Sequence, residues 1–193
     1  GTQSTRASIL NLEGKIQAQA SIPVTLTRPG DNRVEQDPGL LVSSVERSVA
    51  QVLTQVPEKV SSSVECCGIA TQRSTVVAWN DHGEPVSAAL SWQDTRGQAQ
   101  LEQLESHKLE IQRCSGLPLS AHYGASKLRW LMDHNRIERD TRLGPLSSFL
   151  LSRISDCETS LVDHANAQRM QLLDIGNMQW SESLARLFGI PLS

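Results

Sequence analysis

The stretch GTQSTRASILNLEGK, residues 1–15, decides how the chain is read. Gly1 and Thr2 suit a tight turn with free backbone N–H groups. Ser4 and Thr5 add hydroxyls, and Arg6 adds charge. Such a segment can cradle an anion, although the plainer reading is a turn that only starts a strand. Ala7, Ile9 and Leu10 then carry a strand, and EGK makes a turn. Ile16, Ala18 and Ala20 alternate with polar residues in a second strand, so residues 5–24 read as a hairpin.

Working outward, PGDNRVEQDP (29–38) reads as a loop, because Pro, Gly, Asp and Asn cluster there. A helix is predicted over 38–56. Leu41, Val42, Val45, Val49, Val52, Leu53 and Val56 recur at helical spacing, Asp37 is placed to cap it, and Pro38 suits its first position. VECCGIAT (64–71) is nearly continuously apolar and is predicted to be a buried strand, parallel to a neighbour, ending at Gln72 and Arg73. STVVAWN and PVSAALSW flank DHGE as a second hairpin. The remainder is helix-rich. Leu101, Leu104 and Leu109 share one side of a helix, and Leu128, Trp130, Leu131 and Met132 mark another. Short amphipathic pieces follow in LGPLSSFLLSRIS and SESLARLFG. This order favours an α/β fold, a mixed sheet with flanking helices.

The chain has 193 residues, 38% of them hydrophobic but only 4% aromatic, so its core must rest on Leu, Val, Ile and Ala. The formal charge of -3 argues against a nucleic-acid or anionic-membrane partner, which calls for a basic face. No apolar run is long enough to span a membrane. The cysteines at 66, 67, 114 and 157 have no metal-ligand spacing, and no metal site is expected. Cys66 and Cys67 read as small buried hydrophobes, and a reducing cytoplasm fits.

Several constellations could carry chemistry. Gln72 and Arg73, followed by Ser74, sit where an open sheet places ligands, and Arg73 offers a five-donor fork. Trp92 stands beside Gln93, Asp94 and Arg96. A tryptophan face next to hydrogen-bonding groups suits a sugar or polyol, while Asp94 also suits a helix cap. His122 and Tyr123 precede a helix and could line a pocket mouth, with Lys127 on a solvated face. Asp163, His164 and Asn166 form a polar knot that reads as loop bracing. There is no P-loop, dinucleotide fingerprint or nucleophile elbow.

Taken in order, these blocks resemble the N-terminal domain of the FGGY carbohydrate kinases, the family of glycerol kinase and xylulose kinase. The resemblance runs through GTQSTRASILNLEGK, GIATQRSTVVAW, LSWQDTRG, GLPLSAHYGASKLRWLMDH, LGPLSSFLLSRIS and SLVDHANAQRMQLLDI, so it spans the chain. It implies an actin/hexokinase-like fold built on a ribonuclease H-like sheet, and transfer of the γ-phosphoryl group of ATP, with Mg2+, to a substrate hydroxyl. It further implies phosphate contacts from Thr2, Gln3, Ser4 and Arg6. Substrate contacts are implied for Gln72, Arg73, Ser74, Trp92, Gln93, Asp94 and His122.

Ser74 stands where glycerol kinases have a glutamate, and His122 where they have a tyrosine, which points to a sugar or another polyol. The resemblance makes residues 1–193 a partial N-terminal, substrate-binding domain. A first strand would precede it, and the general base and an ATP-binding domain would follow Ser193. On that reading the chain alone lacks kinase activity, and an exposed sheet edge invites association into a homo-oligomer. Two rivals are a catalytically inactive sugar-binding or regulatory module of the same fold, and an α/β domain in which Arg73 and Trp92 are merely structural.

Overall fold

The computed structural model describes residues 1–135, 137–138, 141–155 and 160–192; Cys157 lies outside them. The chain opens with the expected hairpin, β1 (Ser4–Leu10) against β2 (Ile16–Pro23), antiparallel with Ala7 opposite Ala20. Ile9, Ala18, Ala20 and Ile22 are buried, whereas Leu10 and Ile16, next to the turn, are exposed. PGDNRVEQDP is not a loop. It folds as a tight hairpin of β3 (Thr27–Gly30) and β4 (Arg33–Gln36), with Gly30 opposite Arg33. Its turn residues lie at the hairpin tip, and Val34 and Gln36 alternate into the interior.

Helix α1 (Pro38–Leu53) follows, with Pro38 at its start and the Asp37 carboxylate accepting from Leu40 N at 3.0 Å. Its buried face includes Leu41, Val42 and Val52, and also Ser44 and Ser48. Those serines return their hydroxyls to the helix, to Leu41 O and Val45 O. Their small size lets the first hairpin lie close, and Thr5 Oγ1 meets Ser44 Oγ at 2.6 Å. A short α2 (Glu58–Ser61) ends this part.

The expected buried strand over 64–71 is absent. Residues 64–70 are exposed and form neither helix nor strand, so Cys66 and Cys67 face solvent. Among the described strands none pairs with this run. Apolar composition cannot make a strand without a partner for its backbone groups. Gln72 and Arg73 therefore end no strand, and lie in the approach to β5 (Val76–Trp79).

β5 is the fourth strand of a five-stranded sheet ordered β3-β4-β6-β5-β7, lying between β6 (Ala89–Leu90) and β7 (Arg142–Pro145). Every pairing among the described strands is antiparallel. All four β5 residues are buried because each face of the strand is covered. Val76 and Ala78 join Leu90, Ile111, Leu128, Leu131 and Met170 on one face. Val77 and Trp79 meet Leu41, Val42, Phe149 and Leu150 on the other, with the Trp79 and Phe149 rings edge-on at 5.7 Å.

The first face is built by α3 (Gln98–Leu101), a 3-10 segment at Glu102–His107, α4 (Lys108–Ser115) and α5 (Gly124–His134). Leu101 and Leu104 are buried as expected, but Leu109 is exposed and Ile111 takes the interior. The intervening 3-10 turns advance each residue by about 120° rather than 100°, which changes the buried face. α6 (Leu146–Ile154) covers the second face. The chain closes with α7 (His164–Gln168), the pair β8 (Leu173–Asp174) and β9 (Gln179–Trp180), and α8 (Glu182–Phe188). Among the described residues no helix is long and apolar enough to cross a membrane.

Candidate acceptor site

One open cavity of about 380 Å³ is lined by Gly1, Thr2, residues 70–74, Trp92, His122 and Arg169. It brings together Thr2, Gln72, Arg73, Ser74, Trp92 and His122 from distant parts of the chain. Gln3, Ser4, Arg6, Gln93 and Asp94 are not among its lining residues.

The Trp92 backbone N–H donates to Thr75 Oγ1 at 3.1 Å, so the start of β5 holds the residue just beyond β6. Its indole N–H donates to Thr2 Oγ1 at 2.9 Å. The Thr2 hydroxyl proton is thereby left to point elsewhere. Gln36, buried at the end of β4, joins the two sides. Its amide donates to Thr2 O at 3.2 Å, and its oxygen accepts from Gln72 Nε2. Gln36 was missed in the sequence, where its only signal was polarity at an inward strand position.

Ser74 is fully buried with φ +66, and its Oγ has no protein partner. Gln72 Oε1 is likewise unpartnered. Buried polar atoms left this way are uncommon in folded proteins, and both belong to residues that line the cavity. Thr71 reaches Asn166 at 3.4 Å, tying the 70–74 turn to α7. Asp163 caps that helix, accepting from the backbone and side chain of Asn166. Burial raises its pKa, but the hydrogen bonds it accepts, chiefly from Asn166, together outweigh that and lower it. The 163–166 knot is thus bracing, as expected.

His122 packs edge-on between Trp92 and Tyr123, with ring centroids 5.5 and 5.2 Å away. Burial lowers its pKa, aided by the positive charges of Lys127 and Arg169, so the imidazole is neutral at pH 7. Lys127 is not on a solvated face. It is fully buried, and its ammonium donates to His122 O at 2.6 Å and Ala121 O at 3.4 Å. Burial brings its pKa down to about 7 against the opposing pull of Asp94. The side chain props up the turn that presents His122.

Asp94 is fully buried and committed elsewhere. It accepts from Val34 N at 2.7 Å and forms an ion pair with Arg96 at 2.7 Å. Arg96 also meets Glu35 at 2.6 Å and lies 4.6 Å over the Trp130 ring. Burial opposes its charge, but the hydrogen bonds to both carboxylates outweigh that and raise its pKa. Gln93 bonds Arg28 at 3.2 Å. Among the described residues no group of three His, Cys, Asp or Glu could hold a metal. Arg169, absent from the sequence candidates, enters the cavity from the end of α7 and lies 5.5 Å over the Tyr123 ring. No spacing in the sequence marks it.

A sequence profile described as "FGGY family of carbohydrate kinases, N-terminal domain" matches residues 1–193. The chain belongs to the FGGY family. It is 34% identical over 200 residues to a glycerol kinase of Verminephrobacter eiseniae, covering 99% of this chain and 39% of that protein. A glycerol kinase of Janthinobacterium is 35% identical over 205 residues, covering 100% and 40%. The chain thus spans about 40% of the length of these curated relatives.

Among solved structures, Plasmodium falciparum glycerol kinase with ADP matches with a TM-score of 0.87 at 23% identity, over 97% of this chain and 39% of that one. Xylulose kinase from Rhodospirillum rubrum matches with a TM-score of 0.84 at 20% identity, over 98% and 40%. The fold is therefore the actin/hexokinase-like fold of the FGGY kinases, as the resemblance implied.

Proposed function

We propose that this FGGY domain forms the acceptor-binding part of an ATP-dependent carbohydrate kinase, which transfers the γ-phosphoryl group to a hydroxyl of a sugar or polyol. The observation that carries this reading is the Trp92–Thr2 hydrogen bond. It joins a ring suited to a sugar's C–H face to the turn expected to meet phosphate. Acceptor and phosphate would then meet within one cavity, as in-line transfer requires.

Arg73, Gln72 and Ser74 would bond acceptor hydroxyls, Trp92 and His122 would bound the acceptor's apolar face, and Thr2 would donate its hydroxyl proton to phosphate. That free donor fits ATP, which when bound with Mg2+ supplies the phosphoryl group and neutralises its charge. Gln3, Ser4 and Arg6 would support the Thr2 turn from the start of β1. Asp94 and Gln93 would brace Trp92 rather than touch the acceptor. The chemistry, together with Cys66, Cys67 and Cys114 free of disulfides among the described residues, fits the cytoplasm.

The intact gene product, given Mg-ATP and a panel of sugars and polyols, should release ADP with at least one acceptor. No release by folded protein would instead favour a binding or regulatory module of the same fold.

A further inference from the structure

Gln36 is a polar side chain at a position that suits an apolar one. It is the last residue of β4, it lies opposite Ala89 of β6, and only 2% of it is exposed. A buried amide is costly unless both of its ends are hydrogen-bonded. Here both are. Gln36 Nε2 donates to Thr2 O, and Gln36 Oε1 accepts from Gln72 Nε2.

Chemistry dictates the direction of this chain. Thr2 O is a carbonyl and can only accept, so Gln36 must turn its N–H towards it. The Gln36 oxygen then faces Gln72, which must answer with its own N–H. The Gln72 amide is thereby held in one sense. Its Oε1 is left without a protein partner, on a residue that lines the cavity. An ionised glutamate at position 36 would lack the donor, a lysine the acceptor and a methionine both, while asparagine is one methylene shorter. The frame behind Gln36 is firm, with β6 paired alongside and α1 starting just after it under the Asp37 cap.

We infer that Gln36 is a positioning residue of the acceptor site: anchored on Thr2 O, it holds the Gln72 amide in the one orientation that leaves Oε1 to accept from an acceptor hydroxyl. Without Gln36 the Gln72 amide is free to reverse and offer an N–H instead. This inference rests on the kinase reading above, because it concerns how that same cavity is set.

The test uses the intact protein with Gln36→Met, which nearly keeps the volume and removes both hydrogen bonds, with Gln72→Met, and with the double variant. ADP release is followed with glycerol, xylitol, D-xylulose and D-glucose. For an acceptor that reacts, Gln36→Met should lower the acceptor kcat/KM about ten-fold. The ATP KM should stay within about three-fold, because Trp92 still holds the Thr2 hydroxyl. The double variant should fall within about two-fold of Gln72→Met alone, since Gln36 acts through Gln72. Losses that multiply in the double variant would overturn the inference. So would an unchanged kcat/KM in Gln36→Met, or an ATP KM that rises as far as the acceptor KM.

A second measurement needs no acceptor. With isotope-labelled glutamine, the Gln72 side-chain amide is the NMR signal missing from Gln72→Met. In the wild-type protein it should exchange with solvent about ten-fold more slowly than the amide of exposed Gln51, and Gln36→Met should abolish that difference. Equal exchange of the two amides in the wild-type protein would overturn the inference even if Gln36→Met does not fold. A protected Gln72 amide that Gln36→Met releases, without ADP release from any of these acceptors, would uphold the orienting role of Gln36 and contradict the kinase reading.

Discussion

Ser74 carries two costs at once, a left-handed backbone and a buried hydroxyl without a partner. Strain of this kind collects at sites where a ligand relieves it. Ser74→Gly should raise stability by about 0.5–1 kcal/mol in denaturant unfolding, because glycine accepts φ +66 freely. The same change should weaken acceptor binding, since the hydroxyl is lost. A variant that is less stable, or that binds equally well, would show that Ser74 is only a turn residue.

Lys127 makes a second residue-scale prediction. Its folded pKa, about 7, lies below its ordinary value of 10.5, so the unfolded chain binds more protons between them. Stability must therefore rise with pH across that window, by up to about 1.4 kcal/mol per pH unit, and level off below it. In Lys127→Met the rise attributable to this residue should vanish when unfolding is followed from about pH 7 to about pH 10. An unchanged slope would mean that Lys127 stays charged. Trp92 was legible because it follows a strand end, whereas Arg73 was read from a strand over 64–71 that does not form. Lys127 was not legible, although its i,i+4 relation to buried Leu131 placed it on the inward face. Helical periodicity counts apolar residues, and a lysine whose partners are carbonyls on another turn leaves no trace in it.

At the scale of elements, the first hairpin and α1 were readable from alternation, spacing and the Asp37–Pro38 start. Asp37→Ala should cost about 1 kcal/mol, since Leu40 N loses its acceptor. The sheet was less readable. The β3–β4 hairpin is short and polar, and turn residues dominate its composition. The 64–70 run fails as a strand for the opposite reason, because it is apolar but unpaired. Helix α5 is placed by a contact that no periodicity reports. A Cβ on Gly97 would lie 2.7 Å from Ser126 O and 2.8 Å from the Ser126 carbonyl carbon, where backbone cannot yield cheaply. Gly97→Ala should therefore cost about 1–3 kcal/mol and loosen the turn between Trp92 and α3. Thermal unfolding measures the cost, and a neutral outcome would mean that α5 can shift.

At the scale of the molecule, β5 divides two cores, and the approach to it lines the candidate cavity. The residues that bound this cavity come from the chain start, the approach to β5, the turn after β6, the turn before α5 and the end of α7. Their convergence is a property of the fold, so spacing alone could suggest each one but not their meeting. The central claim is that a sugar or polyol occupies this cavity against Arg73. The most direct measurement is the kinetics of Arg73→Ala in the intact protein, with acceptor and ATP varied separately. The acceptor KM should rise about ten-fold or more while the ATP KM stays within about two-fold. An unchanged acceptor KM would contradict the account.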